Sequence, residues 1–374
     1  MQEWVDPHTG RAVRQLTDLP QGATLGYFRL PRRVPGGFVL AWGRHSDGNV
    51  VLLDPDSGDV RPKKLFVAQF LKLNEETGRL WFLPELGRKV WAVDLPDGSP
   101  QPVGEVPQEA PGHLSDVTCD GRTVILRQNI QEDASPPVPT TRDATALWRF
   151  LARPRHGRIW AYDFASGAVT RLAESIEFCF FHLDTSPTDP GLLRFAKDML
   201  EGLGQRMWTV RVDGSELRRI RHQETFEVVT HEFWWPGGEH VGYTYQDRRG
   251  DPTLFELPWC ERAPVPARLG IADLAGNEVF LSEPLNCYHT HIAASPDGRW
   301  VCGEGTEGHR FVHLAPFAWG SPKVEFAPVA TVHTPHAPFR GQHVEAGFSA
   351  DSRWLLYNDT VDGRFQVCAV KVEA

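Results

Sequence analysis

No run of eighteen apolar residues occurs in the chain, which excludes a membrane-crossing helix of ordinary length, and a membrane partner is not expected. The six cysteines (Cys119, Cys179, Cys260, Cys287, Cys302 and Cys368) include no CxxC pair, so neither a zinc knuckle nor a disulfide framework is expected, and most read as buried free thiols. The opening MQEWVDPHTG lacks a charged stretch followed by an apolar one, and the expectation is a soluble, cytoplasmic protein. Basic residues are not in excess either. With 39 Lys and Arg against 48 Asp and Glu the net charge is −9, and nucleic acid is not an expected partner, because neutralising phosphates needs a basic face. Helical periodicity is scarce. What is plentiful is 34 Gly, 30 Pro and 13 Trp, in a chain that is 41% hydrophobic and so able to bury a core; this points to many short strands joined by tight turns, an all-β protein.

Two turn types alternate along the sequence. The first is a Gly- or Asp-containing turn followed by an apolar strand: PGGFVLAWG from Pro35, ETGRLWFLP from Glu76, CDGRTVILR from Cys119 and DPGLLRFAK from Asp189. It continues in PGGEHVGYTY from Pro236, SPDGRWVCGEG from Ser295 and SADSRWLLYND from Ser349, which makes seven. Glycine and short polar residues supply the positive φ that short hairpin connections require. The second type turns back after a strand, as in VLLDPDSGDV, VWAVDLPDGS, IWAYDFASGA, MWTVRVDGSE and LGIADLAGNE. Four strands per unit, repeating every roughly 40 to 60 residues, is the arithmetic of a propeller. The expected fold is a seven-bladed β-propeller spanning 1–374 as one domain. The terminal strand FQVCAVKVEA ends without its turn, and DPHTGRAVRQLTD supplies that turn and an outer strand, so the N-terminal strand is expected to close the last blade. Two irregular stretches, 128–157 with a short helix over 144–152 and 247–268, read as loop insertions on propeller faces. Trp91, Trp160, Trp208, Trp300 and Trp354 read as blade core.

Counting back from each hairpin reaches the innermost strand, which lines the channel of a propeller. His113 lies seven before Asp120, His182 seven before Asp189, and His231 seven before Gly238. His291 lies six before Asp297 with His289 two earlier, and Glu345 lies six before Asp351 with His343 two earlier. Five consecutive blades thus place a titratable residue at a similar height. Alternation along a strand would point His289 and His291 one way, and likewise His343 and Glu345, giving two ligand pairs. Imidazole with carboxylate suits Mn²⁺, Fe²⁺ or Zn²⁺, and the absence of cysteine from the pairs disfavours a purely structural zinc. A single such histidine is more often a hydrogen-bonded core residue; the shared position carries the reading.

QRMWTVRVDGSELRRI (Gln205 to Ile220) followed by VTHEFWWPGG (Val229 to Gly238) resembles the oligogalacturonate lyase family, polysaccharide lyase family 22. VDPHTGRAVRQLTD is similar to the start of that family and HTHIAASPDGRWVCGEG to its metal-bearing blade. The resemblance implies a seven-bladed propeller that cleaves digalacturonate by β-elimination with a divalent metal, Mn²⁺ foremost. It places the catalytic arginine on Arg206, the general-base histidine on His231 and a metal histidine on His291. The family's last-blade motif, Gln-x-x-His-x-His ahead of Phe, is matched by GQHVEAGF, with His343 on the first histidine, Glu345 in place of the second, and Gln342 two residues short of the glutamine's spacing. The metal set implied is therefore His291, His343, Glu345 and Gln342. His182, His289 and His113 are left as candidates for contact with a small uronate-containing oligosaccharide.

Three departures bear on the substrate and the metal. Thr24, Leu25 and GYF stand where the family has a His-Arg pair before Asn-Tyr-Phe, and FAKDM (Phe195 to Met199) stands in place of Cys-His-Glu-Gly-Pro. These imply a different uronate or a relaxed specificity. Glu345 adds a negative charge that would favour a harder metal. Two alternatives share the same residues: a non-catalytic binding propeller, and a metal-dependent uronate epimerase or isomerase, which begins with the same proton abstraction.

Overall fold

The computed structural model describes residues 2–130, 155–198, 201–257, 262–305, 310–333 and 343–372. Its described strands form seven antiparallel sheets, six of four strands and one of five, and each four-stranded sheet is ordered as the chain runs. That is the blade pattern of a seven-bladed β-propeller, as the repeat implies. Blade one spans 33–63, blade two 69–105, blade three 113–175, blade four 179–219, blade five 227–281 and blade six 292–331. The seventh joins Gly347–Phe348, Trp354–Val361 and Arg364–Lys371 to the N-terminal strands Ala12–Gln15 and Gln2–Val5. Val13 pairs with Val370 and Gln15 with Cys368, so the N-terminal segment completes the last blade as expected. The helix expected over 144–152 lies outside the described residues, as do most of 128–157 and part of 247–268. Among the described residues no helix is long and apolar enough to cross a membrane.

Contacts divide the described chain into two compact units. The first carries blades one, two, six and seven; the second, 104–281, carries blades three, four and five. Within the first, the strand Phe38–His45 shows why FVLAW is apolar without a break. Leu40 packs with Leu52, Leu73 and Phe82 toward blade two, while Val39 and Ala41 pack with Leu356, Val367 and Ala369 toward blade seven. A strand buried on both faces needs apolar residues at every position, not at alternate ones. The second unit repeats this: Ile125 and Ile159 meet Phe180 and Val210, and Met207 and Ile220 meet Val229 and Val241. The hairpin turns depend on glycine where the backbone demands it. Gly78 has φ +76°, and a Cβ there would fall 2.4 Å from the Leu95 carbonyl oxygen.

One irregularity recurs in the innermost strands. In blade four Phe181 pairs with Ala196 and Asp184 with Arg194, so His182 and Leu183 together face the single residue Phe195. In blade five Thr230 pairs with Thr244 and Phe233 with Gly242, so His231 and Glu232 face Tyr243. The first residue of each bulge is left-handed, His182 at φ 46° and His231 at φ 53°. Glu345 of blade seven, at φ 52°, follows Val344, whose carbonyl accepts the Asn358 amide, and precedes the Gly347–Leu356 pair. Bulges re-aim a side chain, and left-handed non-glycine residues concentrate at working sites.

Candidate metal centre and a buried charge cluster

The hairpin that follows each inner strand fixes a common height. Thr118, Ser186, Trp235, Ser295 and Ser349 each donate their amide to the carbonyl of the residue opening the next strand. Four positions before them stand Leu114, His182, His231, His291 and Glu345. The expectation of five titratable residues at one height therefore holds for four blades. In blade three the place belongs to Leu114, and His113 is exposed one position earlier, in register with Arg127. The count slipped because Asp120 stands two places after Thr118, whereas Asp189 and Gly238 stand three places after Ser186 and Trp235, so one count of seven does not reach the same position.

In the first unit His291, His343 and Glu345 bring one donor atom each to within 4.8 Å of one another. His291 and Glu345 are buried and His343 is half-buried. Behind them sits Glu304, with no side-chain exposure, its Oε1 2.6 Å from His291 Nδ1 and 4.0 Å from His343 Nδ1. Glu304 Oε2 accepts the backbone amide of Glu345 at 2.8 Å. The Phe28 ring stacks on His291 at 4.2 Å, the Tyr27 ring meets it edge-on at 4.9 Å, and the Phe28 amide donates to Glu345 Oε2 at 2.5 Å. Buried Arg32 donates to the Glu345 carbonyl at 2.8 Å and to the Phe28 carbonyl at 3.1 Å, tying the aromatic segment to blade seven.

The electrostatics are those of a cation site. Burial and the Glu304 charge push the Glu345 carboxyl well above the usual carboxylate range, against the pull of Arg32 and the Phe28 amide. Burial likewise pushes the His343 imidazole down, toward the neutral form that binds metal, with Glu304 opposing. Two buried carboxylates beside two imidazoles, offset in part by Arg32, make a group whose charge suits a divalent ion. Two nitrogens and an oxygen suit Mn²⁺, Fe²⁺ or Zn²⁺, and Glu304 stands where an orienting carboxylate behind a metal histidine is expected. Gln342, the fourth implied ligand, lies outside the described residues. Sequence reasoning missed Glu304; the signal is its place across the hairpin, where the Glu304 amide approaches the His291 carbonyl at 3.4 Å.

His289 does not share this group. It lies with Cys287 and His313, the three donor atoms within 4.8 Å. A bend at Thr290, ahead of the strand Ile292–Ala294, breaks the alternation that would have aligned it with His291. Its ring fills the space left by Gly303, where a Cβ would come within 2.4 Å of it, and the Gly305 amide donates to its Nδ1 at 2.9 Å. That bond leaves the proton of the neutral ring on Nε2, which makes Nε2 a poor metal ligand. Burial also pushes the Cys287 thiol up, toward the protonated form. The buried position of His289 fits a core residue better than a sugar contact.

In the second unit the candidates His182 and Arg206 converge on Glu232. This carboxylate has no exposure; His182 Nδ1 lies 2.5 Å from Oε1, Arg206 Nε donates to Oε2 at 3.0 Å, and Arg194 Nη1 lies 3.6 Å from Oε1. Arg194, itself fully buried, donates to Asp184 Oδ2 at 2.7 Å. Burial alone would raise the Glu232 carboxyl, but the charges of Arg206, His182 and Arg194 outweigh it and hold the group well below its ordinary value. The QRMW segment presents Arg206: Gln205 Nε2 donates to the carbonyls of Met207 and Arg221 at 3.0 and 2.9 Å, and the Arg206 amide donates to Gln223 Oε1 at 3.0 Å. His231 is half-buried and directly precedes Glu232. Glu232, Arg194 and Asp184 were not singled out from sequence, although THEFWW displays the first beside the histidine.

No family model matches the chain. It is 23% identical to an oligogalacturonate lyase of Dickeya dadantii and 22% identical to an oligogalacturonide lyase of Pectobacterium atrosepticum, each alignment covering 98% of this chain and 95% of the relative. A solved oligogalacturonate lyase in complex with manganese superposes with a TM-score of 0.75 at 21% identity, covering 100% of this chain and 96% of the other. The oligogalacturonate lyase of Vibrio parahaemolyticus gives 0.74 at 18% identity over the same shares. In sequence and in fold, from one end to the other, the chain resembles the oligogalacturonate lyases.

Proposed function

We propose that the protein is a divalent-metal-dependent lyase that cleaves short uronate oligosaccharides by β-elimination. The observation that carries this is the convergence of His291, His343 and Glu345 within 4.8 Å, in a chain that resembles oligogalacturonate lyases over 98% of its length. These three residues would hold the ion, Mn²⁺ foremost given the manganese-bound relative, with Glu304 orienting His291. When bound, such an ion neutralises the C6 carboxylate of a uronate and so acidifies the C5 proton. His231, as a neutral imidazole, takes that proton. Arg206, its guanidinium fixed by Glu232, holds an anionic or hydroxyl group of the sugar in place. The C4–O bond breaks and a 4,5-unsaturated uronate leaves.

The test uses protein stripped with chelator, resupplied with Mn²⁺, Fe²⁺ or Zn²⁺, and mixed with digalacturonate and other short uronides while the ultraviolet absorbance of the conjugated product is followed. Turnover is expected only with an ion present, and His231→Ala is expected to lose about 10²- to 10⁴-fold in rate. No chromophore from any uronide with any ion would overturn the reading, and an isomerised but uncleaved sugar would mark an epimerase instead.

A further inference from the structure

His182 has no role in the chemistry above, yet it is built like a working residue. It opens the blade-four bulge as His231 opens the blade-five bulge; both backbones are left-handed, and both stand four positions before their hairpin. The two blades pack directly, Met207 and Ile220 against Val229 and Val241. Nδ1 of His182 lies 2.5 Å from Glu232 Oε1, so the ring's proton exchange runs through Nε2 on its opposite edge. This is the arrangement in which a buried carboxylate fixes the tautomer and orientation of a catalytic imidazole.

We propose that His182, held by Glu232, is the general acid of the elimination, donating from Nε2 to the departing C4 oxygen; this rests on the lyase reading. The electron pair of the C5–H bond becomes the C4=C5 double bond as His231 takes the proton. The pair of the C4–O bond goes to the leaving oxygen, which receives the proton of His182. No oxidant or reductant enters, and each histidine recovers its state by exchange with solvent. Charge supports the assignment. Arg194 and Arg206 balance Asp184 and Glu232, so an imidazolium at His182 leaves one positive charge in excess, complementary to an anionic sugar.

The experiment compares His182→Ala, Glu232→Gln and His231→Ala on digalacturonate and on a uronide bearing fluoride at C4, which departs without taking a proton. The expected result for His182→Ala is a loss of about 10²-fold or more in kcat on digalacturonate with KM changed little, near-normal turnover of the fluoride, and partial rescue by added imidazole. Exchange of the C5 hydrogen with D₂O should survive in His182→Ala and vanish in His231→Ala. Equal losses on both substrates, or lost C5 exchange in His182→Ala, would overturn the general-acid role while leaving the lyase reading intact. Wild-type protein inactive on every uronide would remove both. Should His182→Ala fail to fold, His182→Gln carries the same comparison.

Discussion

At the scale of single residues, two buried carboxylates organise what the histidines can do. Glu304 bears on His291, His343 and the backbone of Glu345, so its removal should loosen the proposed ligand set without deleting one of its members. Glu304→Ala is expected to weaken Mn²⁺ binding about 10- to 100-fold by calorimetric titration. Glu232 carries the opposite signature, a carboxyl held far below its ordinary value by three cationic partners. Its folded form binds protons less readily than its unfolded form, so the stability it contributes is complete above the unfolded value of about 4.3 and is lost as pH falls below it. Glu232→Gln should therefore lower stability by about 3 kcal/mol at neutral pH. It should also flatten the decline below pH about 4.3, as denaturant titrations at several pH values would show. Neither residue stands out in the sequence. A glutamate in GEG or HEF is one of many acidic residues, and only burial against named partners distinguishes it.

At the scale of the element, the inner-strand bulge is the device that turns side chains toward the site. A left-handed backbone at His231 costs on the order of 1 kcal/mol for any residue with a Cβ, and glycine escapes most of it. His231→Gly is thus expected to be more stable than His231→Ala by about 1 kcal/mol, measured by thermal unfolding, although both lack the imidazole. The strands behind the bulges behave as ordinary core. Leu40→Ala, which empties a buried position between blades one and two, should cost about 2 to 5 kcal/mol. Hairpins and apolar strands were legible because turn chemistry and burial on both faces write themselves into local sequence. The displacement of His289 from His291 was not, since a single bend at Thr290 cancels the alternation on which the pairing relied.

At the scale of the molecule, the N-terminal strand is part of the last blade. Without residues 2–15 the strand Arg364–Lys371 would become an open edge, and Val13 would no longer cover its neighbours in the buried cluster of blades six and seven. Such a truncation is expected to lower Tm by roughly 5 °C or more and to self-associate in light scattering. Manganese, conversely, should raise the apparent stability by about 2.7 kcal/mol at a hundredfold excess over its dissociation constant, an effect that Glu304→Ala reduces. The sequence alone determined the blade count, the closure of the last blade and the residue types at four inner-strand heights, because each follows from local pattern repeated along the chain. The tertiary structure decided which of those residues meet. Glu304 behind His291 and His343, Glu232 between His182 and Arg206, and the displacement of His113 and His289 from the shared inner-strand position all depend on contacts across hairpins and between blades, which no local pattern encodes.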